Sequence, residues 1–279
     1  MIKRYYDHNT RLFLALGGSR RIRAIHRALW APGVRNREQA LDAIHTLVSE
    51  QIGLLGADTP HVLDLGCGVG GSLFSLAQKL PPGWCGTGTT ISPVQFELAQ
   101  AFARQRGLAE SLTFLDADFL HLPDLPPVDL AFAIESFALN ADAPAFFSAA
   151  ARVLRPGGRL VIVDDFLTKH GADDALSARE GGWLEAFRSG WLAAGLGTPN
   201  QAIECARTAG LSLMDDRDLT PMLRLNTLRD RAVRLSVQLG RFLRLKGLYW
   251  DSLYGGDALQ RCLEHDLISY RLLVFTRPR

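Results

Sequence analysis

A short apolar segment that leads straight into a glycine-rich turn constrains this chain more than any other feature. Residues 61–65 have the composition of a buried strand, and Gly66, Gly68 and Gly70 follow at alternate positions. Glycine adopts positive φ and leaves its backbone amides uncovered, so a ligand can lie directly against such a turn. Residues 72–77 have a helical pattern and would direct their amide dipoles at the same place. The segment therefore predicts a strand–turn–helix unit that holds a nucleoside-bearing ligand.

The same glycines allow a second interpretation. Gly66, Gly68 and Gly71 also match the G-x-G-x-x-G pattern of nicotinamide-dependent oxidoreductases. Those proteins place an acidic residue on the ribose at the end of the second strand, about 20 residues further on. Residues 86–95 contain neither an acid nor an arginine that would accept a 2′-phosphate. An NAD(P)-dependent oxidoreductase is therefore the weaker alternative.

The second predicted strand carries a different pattern. Gly88, Thr90, Ser92 and Gln95 spell G-x-T-x-S-x-x-Q. This element resembles that of class I S-adenosylmethionine-dependent methyltransferases, in particular the tocopherol, sterol, phosphoethanolamine, cyclopropane-fatty-acid and terpenoid enzymes. Further similar elements follow in order across residues 60–220. The resemblance implies an α/β, Rossmann-like sheet of seven mostly parallel strands, with helices on both faces and S-adenosyl-L-methionine as the cofactor.

The resemblance also implies roles for individual residues. Asp118 and the backbone of Phe119 would contact the adenine, Thr90 and Gln95 the ribose, and Glu135 would end the fourth strand beside the transferring methyl group. The aromatic pair that contains Tyr6 would cover the cofactor. No metal is implied. The predicted cofactor contacts are Tyr6, Asp64, Gly66, Gly68, Gly70, Thr90, Gln95, Asp118, Phe119 and Glu135.

Simpler interpretations of these residues stay open. Asp118 could cap a short helix that starts at Phe119, because aspartate is a favoured capping residue. Glu135 could be a solvated strand end, since lone carboxylates are usually exposed. Tyr6 could pack on the core with its hydroxyl in water.

The pattern along the chain predicts four regions. Residues 1–58 have helical patterns and form an N-terminal helical lid, with an amphipathic helix over Arg37 to Gly53. Residues 59–220 alternate strands and helices and form the cofactor-binding core. Residues 221–256 form a helical insertion that covers the substrate, and residues 257–279 supply a final helix and strand.

Charge is uneven although the net value is only +2. Eight arginines lie among residues 4–37, and six arginines with one lysine lie among residues 224–246, so both predicted lids are basic. These residues either form solvated helix faces or hold an anionic substrate such as a diphosphate. Nucleic acid is not expected, because no stacking-aromatic module accompanies the arginines. The basic helices could also pair between subunits, so a homo-oligomer is an open alternative.

Composition narrows the setting. A 279-residue chain with 47% hydrophobic residues can bury a full core. No apolar run approaches the roughly 20 residues that span a bilayer, and no signal peptide is recognised, so we expect a cytoplasmic protein. The four cysteines are far apart and indicate neither a zinc site nor a disulfide framework.

The segment after the fifth strand offers candidates for proton transfer. Glu180, Trp183, Phe187 and Trp191 recur at helical spacing, which would direct one carboxylate and three aromatic rings into a single cavity. Relatives carry a histidine four residues after the fourth-strand glutamate, whereas here that position is Leu139. Glu180, Glu135 and His170, the last as a substitute for the missing histidine, are therefore the predicted catalytic residues.

These observations predict a methyltransferase for a small, partly apolar molecule. C-methylation of an isoprenoid or prenyl-diphosphate-type substrate is favoured, because the similar elements match the carbon-methylating enzymes and the lids are basic. Methylation of oxygen or nitrogen in a secondary metabolite is the alternative.

Overall fold

The structure is a computed structural model that describes Asp7, Thr10, Arg23 and residues 25–173 and 175–279. Within these residues one seven-stranded sheet has the order β3-β2-β1-β4-β5-β7-β6. Strands β1 to β5 are parallel, and β7 runs antiparallel between β5 and β6. The strands are β1 (His61–Leu65), β2 (Cys85–Thr90), β3 (Leu112–Asp116), β4 (Val128–Ile134), β5 (Leu154–Leu167), β6 (Ser212–Asp218) and β7 (Ile268–Thr276).

Helices cover both faces of this sheet. The central strands are buried along almost their whole length, which explains their continuous apolar sequences. The expected Rossmann-like α/β fold is confirmed. The helices in the described part of the chain are α1 (Arg37–Gly53), α2 (Gly71–Leu76), α3 (Pro93–Gln105), α4 (Ala143–Val153), α5 (Ala178–Trp191), α6 (Pro199–Thr208), α7 (Leu228–Phe242) and α8 (Leu248–Glu264).

Three hydrophobic clusters hold the layers together. On one face, Ile44 of α1 and Phe74 of α2 pack with Phe132 of the central strand. On the other face, α4 and α6 pack against the sheet through Phe147 and Ala206. Helices α5 and α8 form a third cluster beyond the end of β5. The first two clusters fix the strands, and the third places α5 and α8 beside the carboxyl ends of the strands.

The predicted boundaries agree with the structure only in part. The helix expected from Arg37 to Gly53 is present with the same ends, and the Asn36 side chain caps it by accepting from the Gln39 amide. The predicted division between residues 256 and 257 falls inside α8. Most of residues 1–24 lie outside the described residues. In the part of the chain that is described, no helix has the length and apolar character needed to cross a membrane.

Candidate cofactor and substrate site

A cavity of about 980 Å³ opens at the carboxyl ends of the parallel strands, where ligands bind in open α/β sheets. Eight of the ten predicted cofactor contacts line it. Gly70 instead lies against the ring of Phe114, and Tyr6 lies outside the described residues. The eight are Asp64, Gly66, Gly68, Thr90, Gln95, Asp118, Phe119 and Glu135. The cofactor role of each is still a prediction.

Two glycines of the glycine-rich turn are required for different reasons. Gly66 has φ of +97°, and a Cβ there would lie 2.6 Å from the Cβ of Ser136, so the neighbouring chain leaves no room for a side chain. Gly68 has φ of +55° and borders the cavity, and a Cβ there would meet no atom within 4 Å. Gly66 is therefore fixed by packing, whereas Gly68 leaves backbone open to a ligand.

Asp64, at the base of this turn, is a buried carboxyl group with unused bonding capacity. It is 2% exposed, and burial raises its pKa well above the ordinary value. Its Oδ2 has no hydrogen-bond partner among the described residues. A buried, unpaired carboxylate oxygen at a cavity wall suits a cationic group. The α-ammonium and sulfonium groups of S-adenosylmethionine have the required charge.

The Thr–Ser–Gln element after β2 forms a connected polar group. The Thr90 hydroxyl donates to Oε1 of Gln95 at 2.7 Å, and the Ser92 hydroxyl caps α3 by accepting from the Gln95 amide at 3.2 Å. The Gln95 side-chain amide donates to the Thr10 hydroxyl at 3.1 Å. The structure thus brings the two predicted ribose contacts together, and the Ser92 cap fixes the start of the helix that carries Gln95.

Asp118 combines the two interpretations that the sequence left open. Its carboxylate accepts from the Leu120 amide at 2.9 Å and so caps a short 3-10 helix, Phe119–His121. It also borders the cavity and is nearly half exposed. Phe119 packs edge-on against Phe146 with centroids 5.5 Å apart. The cap fixes the carboxylate at the cavity wall without covering it.

Glu135 ends β4 in a conformation that few residues other than glycine adopt. Its φ is +51°, and strain of this kind is concentrated at functional sites. Its Oε1 accepts from the Arg27 amide at 2.8 Å and from the Tyr270 hydroxyl at 2.9 Å. Glu135 is therefore held inside the cavity wall by two donors and is not a solvated strand end.

Arg27 was not among the predicted site residues, although it connects the acidic wall of the cavity. Its guanidinium donates to both oxygens of Asp165, and it lies over the ring of Tyr270 with its central carbon 4.4 Å from the ring centroid. Burial opposes the charge, but Asp165 and Glu135 outweigh this and raise the pKa of Arg27. Burial has the larger effect on Asp165 and raises its pKa overall, although Arg27 in turn lowers it.

Asp164 is the cavity carboxyl group whose properties best suit proton transfer. Burial, and then the negative charge of Asp165, raise its pKa from 3.8 to about 7. Its Oδ2 accepts from the Ala138 amide at 3.0 Å, and its Oδ1 accepts from the Asp165 amide at 2.8 Å. Each oxygen keeps a lone pair, so Asp164 can exchange a proton at neutral pH.

The structure places two of the predicted catalytic residues, Glu180 and His170, at the start of α5 and just before it. Glu180 occupies the third position of α5 and forms a capping box with Ser177, whose hydrogen bonds lower the pKa of Glu180 to about 2. His170 lies 3.3 Å from the same carboxylate and is largely exposed. Neither residue borders the cavity. Helix capping, not catalysis, explains the glutamate that sequence spacing placed among aromatic residues.

The aromatic residues of α5 are divided between core and cavity. Trp183 packs against His265, with centroids 4.7 Å apart, in the cluster between α5 and α8. Phe187 and Trp191 border the cavity, together with Trp30 and Tyr249. The predicted single aromatic face is therefore only half right.

A histidine pair lies beside the cavity and was also missed by sequence reasoning. Nε2 of His26, which borders the cavity, lies 3.0 Å from Nε2 of the fully buried His45. Nδ1 of His45 contacts Asp42 at 3.2 Å. Burial lowers the pKa of His45 to about 4 and lowers that of His26. The pair is a fixed polar wall, since both nitrogens of each ring have partners within the protein.

Together the fold and the cavity define a Rossmann-like enzyme that binds a nucleoside cofactor. The family described as "Methyltransferase domain" matches residues 62–158. Methyltransferase GfsG from Streptomyces halstedii is 31% identical over 222 residues, which are 79% of this chain and 76% of that protein. O-methyltransferase cnsE from Penicillium expansum is 30% identical over 203 residues, 72% of this chain and 69% of that protein.

Similarity in structure extends over nearly the whole chain. The crystal structure of the [4+2]-cyclase SpnF has a TM-score of 0.76 and 26% identity, and covers 99% of this chain and 95% of that one. The chain belongs to the class I S-adenosylmethionine-dependent methyltransferases, as the sequence elements predicted. It is accordingly an S-adenosylmethionine-dependent enzyme of the small-molecule group, and the nicotinamide alternative is not supported.

Proposed function

We propose that this enzyme methylates a hydroxyl oxygen of a small, partly apolar molecule, with Asp164 as the proton acceptor. The observation that carries the proposal is a buried carboxyl group with a pKa near 7 at the wall of the cavity. A base acts best when its pKa is close to the working pH. Glu135 is assigned a positioning part instead, because Arg27 and Tyr270 both donate to its Oε1 and orient it.

The residues have separate parts in this reaction. When bound, S-adenosylmethionine supplies an electrophilic methyl group. The acceptor oxygen forms a bond to the methyl carbon while the carbon–sulfur bond breaks, and its proton passes to Asp164. Phe187 and Trp191 provide apolar surface that excludes water from the reacting atoms. Arg27 binds Asp165, whose charge is, after burial, the second cause that raises the pKa of Asp164.

The charge of the inner cavity supports a neutral acceptor. Asp64, Glu135, Asp164 and Asp165 line it, and Arg27 is the only cation that the structure describes in contact with these carboxylates. Burial raises the pKa of Asp64, Asp164 and Asp165, and the positive charges of a bound cofactor would favour the ionised forms of these groups. An anion placed deep in the cavity would have no such partner, so a neutral acceptor suits this wall better.

The test is methyl transfer from labelled S-adenosylmethionine to a panel of apolar alcohols and phenols, with the product identified by mass spectrometry. Asp164→Asn should bind S-adenosylhomocysteine normally in calorimetry and lose turnover by about 100-fold or more. Asp173→Asn, which changes an exposed residue after β5, is the matched control. Wild-type turnover in Asp164→Asn would remove the proposed base, and a methyl group found on carbon would replace oxygen as the acceptor.

C-methylation of a prenyl diphosphate is a second candidate, favoured by arginines at the cavity mouth. Arg37, Arg224 and Arg229 border the cavity and are exposed, and Arg224 lies 3.4 Å above the ring of Trp30. A diphosphate could bind these guanidinium groups while an apolar chain enters the cavity. Comparison of geranyl diphosphate with geraniol decides between the candidates, since only C-methylation of the diphosphate requires the anionic group.

The same proposal assigns the surrounding helices as lids. Leu253 of α8, Val233 of α7 and Trp30 from the segment before α1 all border the cavity, so these elements close it over the substrate. A cytoplasmic location and an oligomeric state are predictions that fractionation and sedimentation velocity can check.

A further inference from the structure

Helix α7 carries a continuous apolar face that points into solvent. Four large apolar side chains recur at intervals of seven, four and three residues, which places them on one side of the helix, and Leu243 extends the face by one position. These side chains are between 54% and 83% exposed. Five of the ten exposed large apolar side chains in the described part of the chain lie on this outer face, which is therefore a concentrated patch. The outer face consists of Leu228, Leu235, Leu239, Phe242 and Leu243.

The patch is surrounded by positive charge. Residues 224–246 contain six arginines and one lysine but only one acidic residue, Asp230. Asp230 is used in the capping box of α7, where it accepts from the Thr227 amide at 2.8 Å. Arg229, Arg231, Arg241, Arg244 and Lys246 are all exposed. An apolar face flanked by cations is typical of helices that lie in the interface of an anionic membrane.

Ion pairs on the opposite side fix the orientation of α7. Arg234 contacts Asp257 of α8 at 3.3 Å and Glu264 of α8 at 3.0 Å. Val233 and Asp230 on this inner side border the cavity. Because the inner side is held by α8 and by the cavity, the apolar side is directed away from the protein.

We propose that the outer face of α7 docks on an anionic lipid surface, so that the mouth of the cavity lies next to the membrane. Apolar side chains would enter the boundary between headgroups and acyl chains, and the cations would pair with lipid phosphates. Pairing with a second copy is less suitable, because it would bring two cationic helices together without carboxylates on their flanks. The inference rests on the proposed function in one respect: a partly apolar acceptor dissolved in the bilayer would reach the cavity directly.

The experiment is co-sedimentation with vesicles of phosphatidylcholine alone and of phosphatidylcholine with phosphatidylglycerol. Binding is expected only to the anionic vesicles and should weaken with added salt. The triple variant Leu235→Ser/Leu239→Ser/Phe242→Ser should bind about ten-fold less or weaker still. Leu54→Ser/Met214→Ser, which changes two exposed apolar residues elsewhere, is the matched control and should bind as the wild type does.

Two further measurements separate the possible outcomes. Methyl transfer to a water-soluble acceptor without vesicles should be unchanged in the triple variant. The lipid-binding proposal and the proposed methyl transfer are therefore tested by separate measurements, and either one can fail without the other. Sedimentation velocity should give the same mass for wild type and triple variant. Absent binding to anionic vesicles, equal binding by the triple variant, or a dimer that this variant converts to a monomer would each overturn the proposal.

Discussion

The Tyr270 hydroxyl donates to Oε1 of Glu135 at 2.9 Å and so joins the last strand of the sheet to the strained end of β4. Burial, and then the charge of Glu135, raise the pKa of Tyr270 well above its ordinary value, so the hydroxyl stays protonated. The Arg27 guanidinium over the same ring adds a third member to this contact. Glu135 is thus oriented by Tyr270 and Arg27, two residues that belong to no recognised sequence motif.

Tyr270→Phe should weaken cofactor binding while the protein stays folded. The change removes one of two donors to Glu135, and a hydrogen bond to a charged group contributes roughly 1.5–3 kcal/mol. We expect calorimetry to show about ten-fold weaker binding of S-adenosylhomocysteine.

Glu135→Ala and the double variant complete a mutant cycle for this contact, because alanine has no acceptor for the Tyr270 hydroxyl. If Tyr270 acts through Glu135, the double variant should lose no more affinity than Glu135→Ala alone. Additive losses would show that Tyr270 acts on the cofactor by another route.

Sequence reasoning predicted the sheet and eight residues that line the cavity, because local patterns encode both. The glycine turn and the Thr90–Gln95 element lie within one strand–turn–helix unit each, so their spacing determines their geometry. Local spacing does not identify Asp164 and Arg27 as site residues. Arg27 contacts Asp165 across more than 100 residues, and the pKa of Asp164 depends first on its burial, which the sequence does not show.

The helical spacing that suggested Glu180 failed for a related reason. Periodicity indicates which residues share a helix face, but it does not show where the helix begins. Ser177 followed by Glu180 matches the S-x-x-E capping box, and this signal was present in the sequence. A glutamate at the third position of a helix is better explained by capping of the helix N-terminus than by contact with a distant cavity.

Asp118→Ala should lower cofactor affinity by about ten-fold, since a carboxylate that borders the cavity would lose its contact with the adenine. Calorimetry with S-adenosylhomocysteine measures the effect. Asp124→Ala, in the exposed loop that follows, is the control. Because Asp118 also caps a 3-10 helix, the melting temperature must be recorded, and unchanged affinity with a lowered melting temperature would leave capping as its only role.

Glu180→Gln should retain full turnover. The residue lies outside the cavity, and its low pKa makes its carboxylate a poor proton acceptor at neutral pH. A small drop in melting temperature is expected, because the capping box loses a charged acceptor at the helix N-terminus. Glu185→Gln, an exposed change on the same helix, should leave both quantities unchanged. A large loss of kcat in Glu180→Gln would return this residue to the mechanism.

The dependence of rate on pH should report Asp164. A base must be deprotonated to accept a proton, so kcat/KM should rise with pH and level off above an apparent pKa near 7. The residual activity of Asp164→Asn should lack this rise. The range from pH 6 to pH 8 extends about one unit to either side of this pKa. A constant kcat/KM over that range would contradict the assignment of Asp164 as the base.

The free energy of unfolding should also depend on Asp164, but it should fall with rising pH where kcat/KM rises. The native pKa of Asp164, about 7, lies above its ordinary 3.8, so between these values the folded state holds a proton that the unfolded state releases. The contribution of Asp164 to the free energy of unfolding is therefore complete below pH 3.8 and is lost as the pH rises through 7. Urea unfolding of wild type and Asp164→Asn at several pH values isolates this contribution, because other groups titrate in both proteins. The stability difference, wild type minus variant, should decrease as the pH rises through this window, whereas a constant difference would show that Asp164 is already ionised at pH 5.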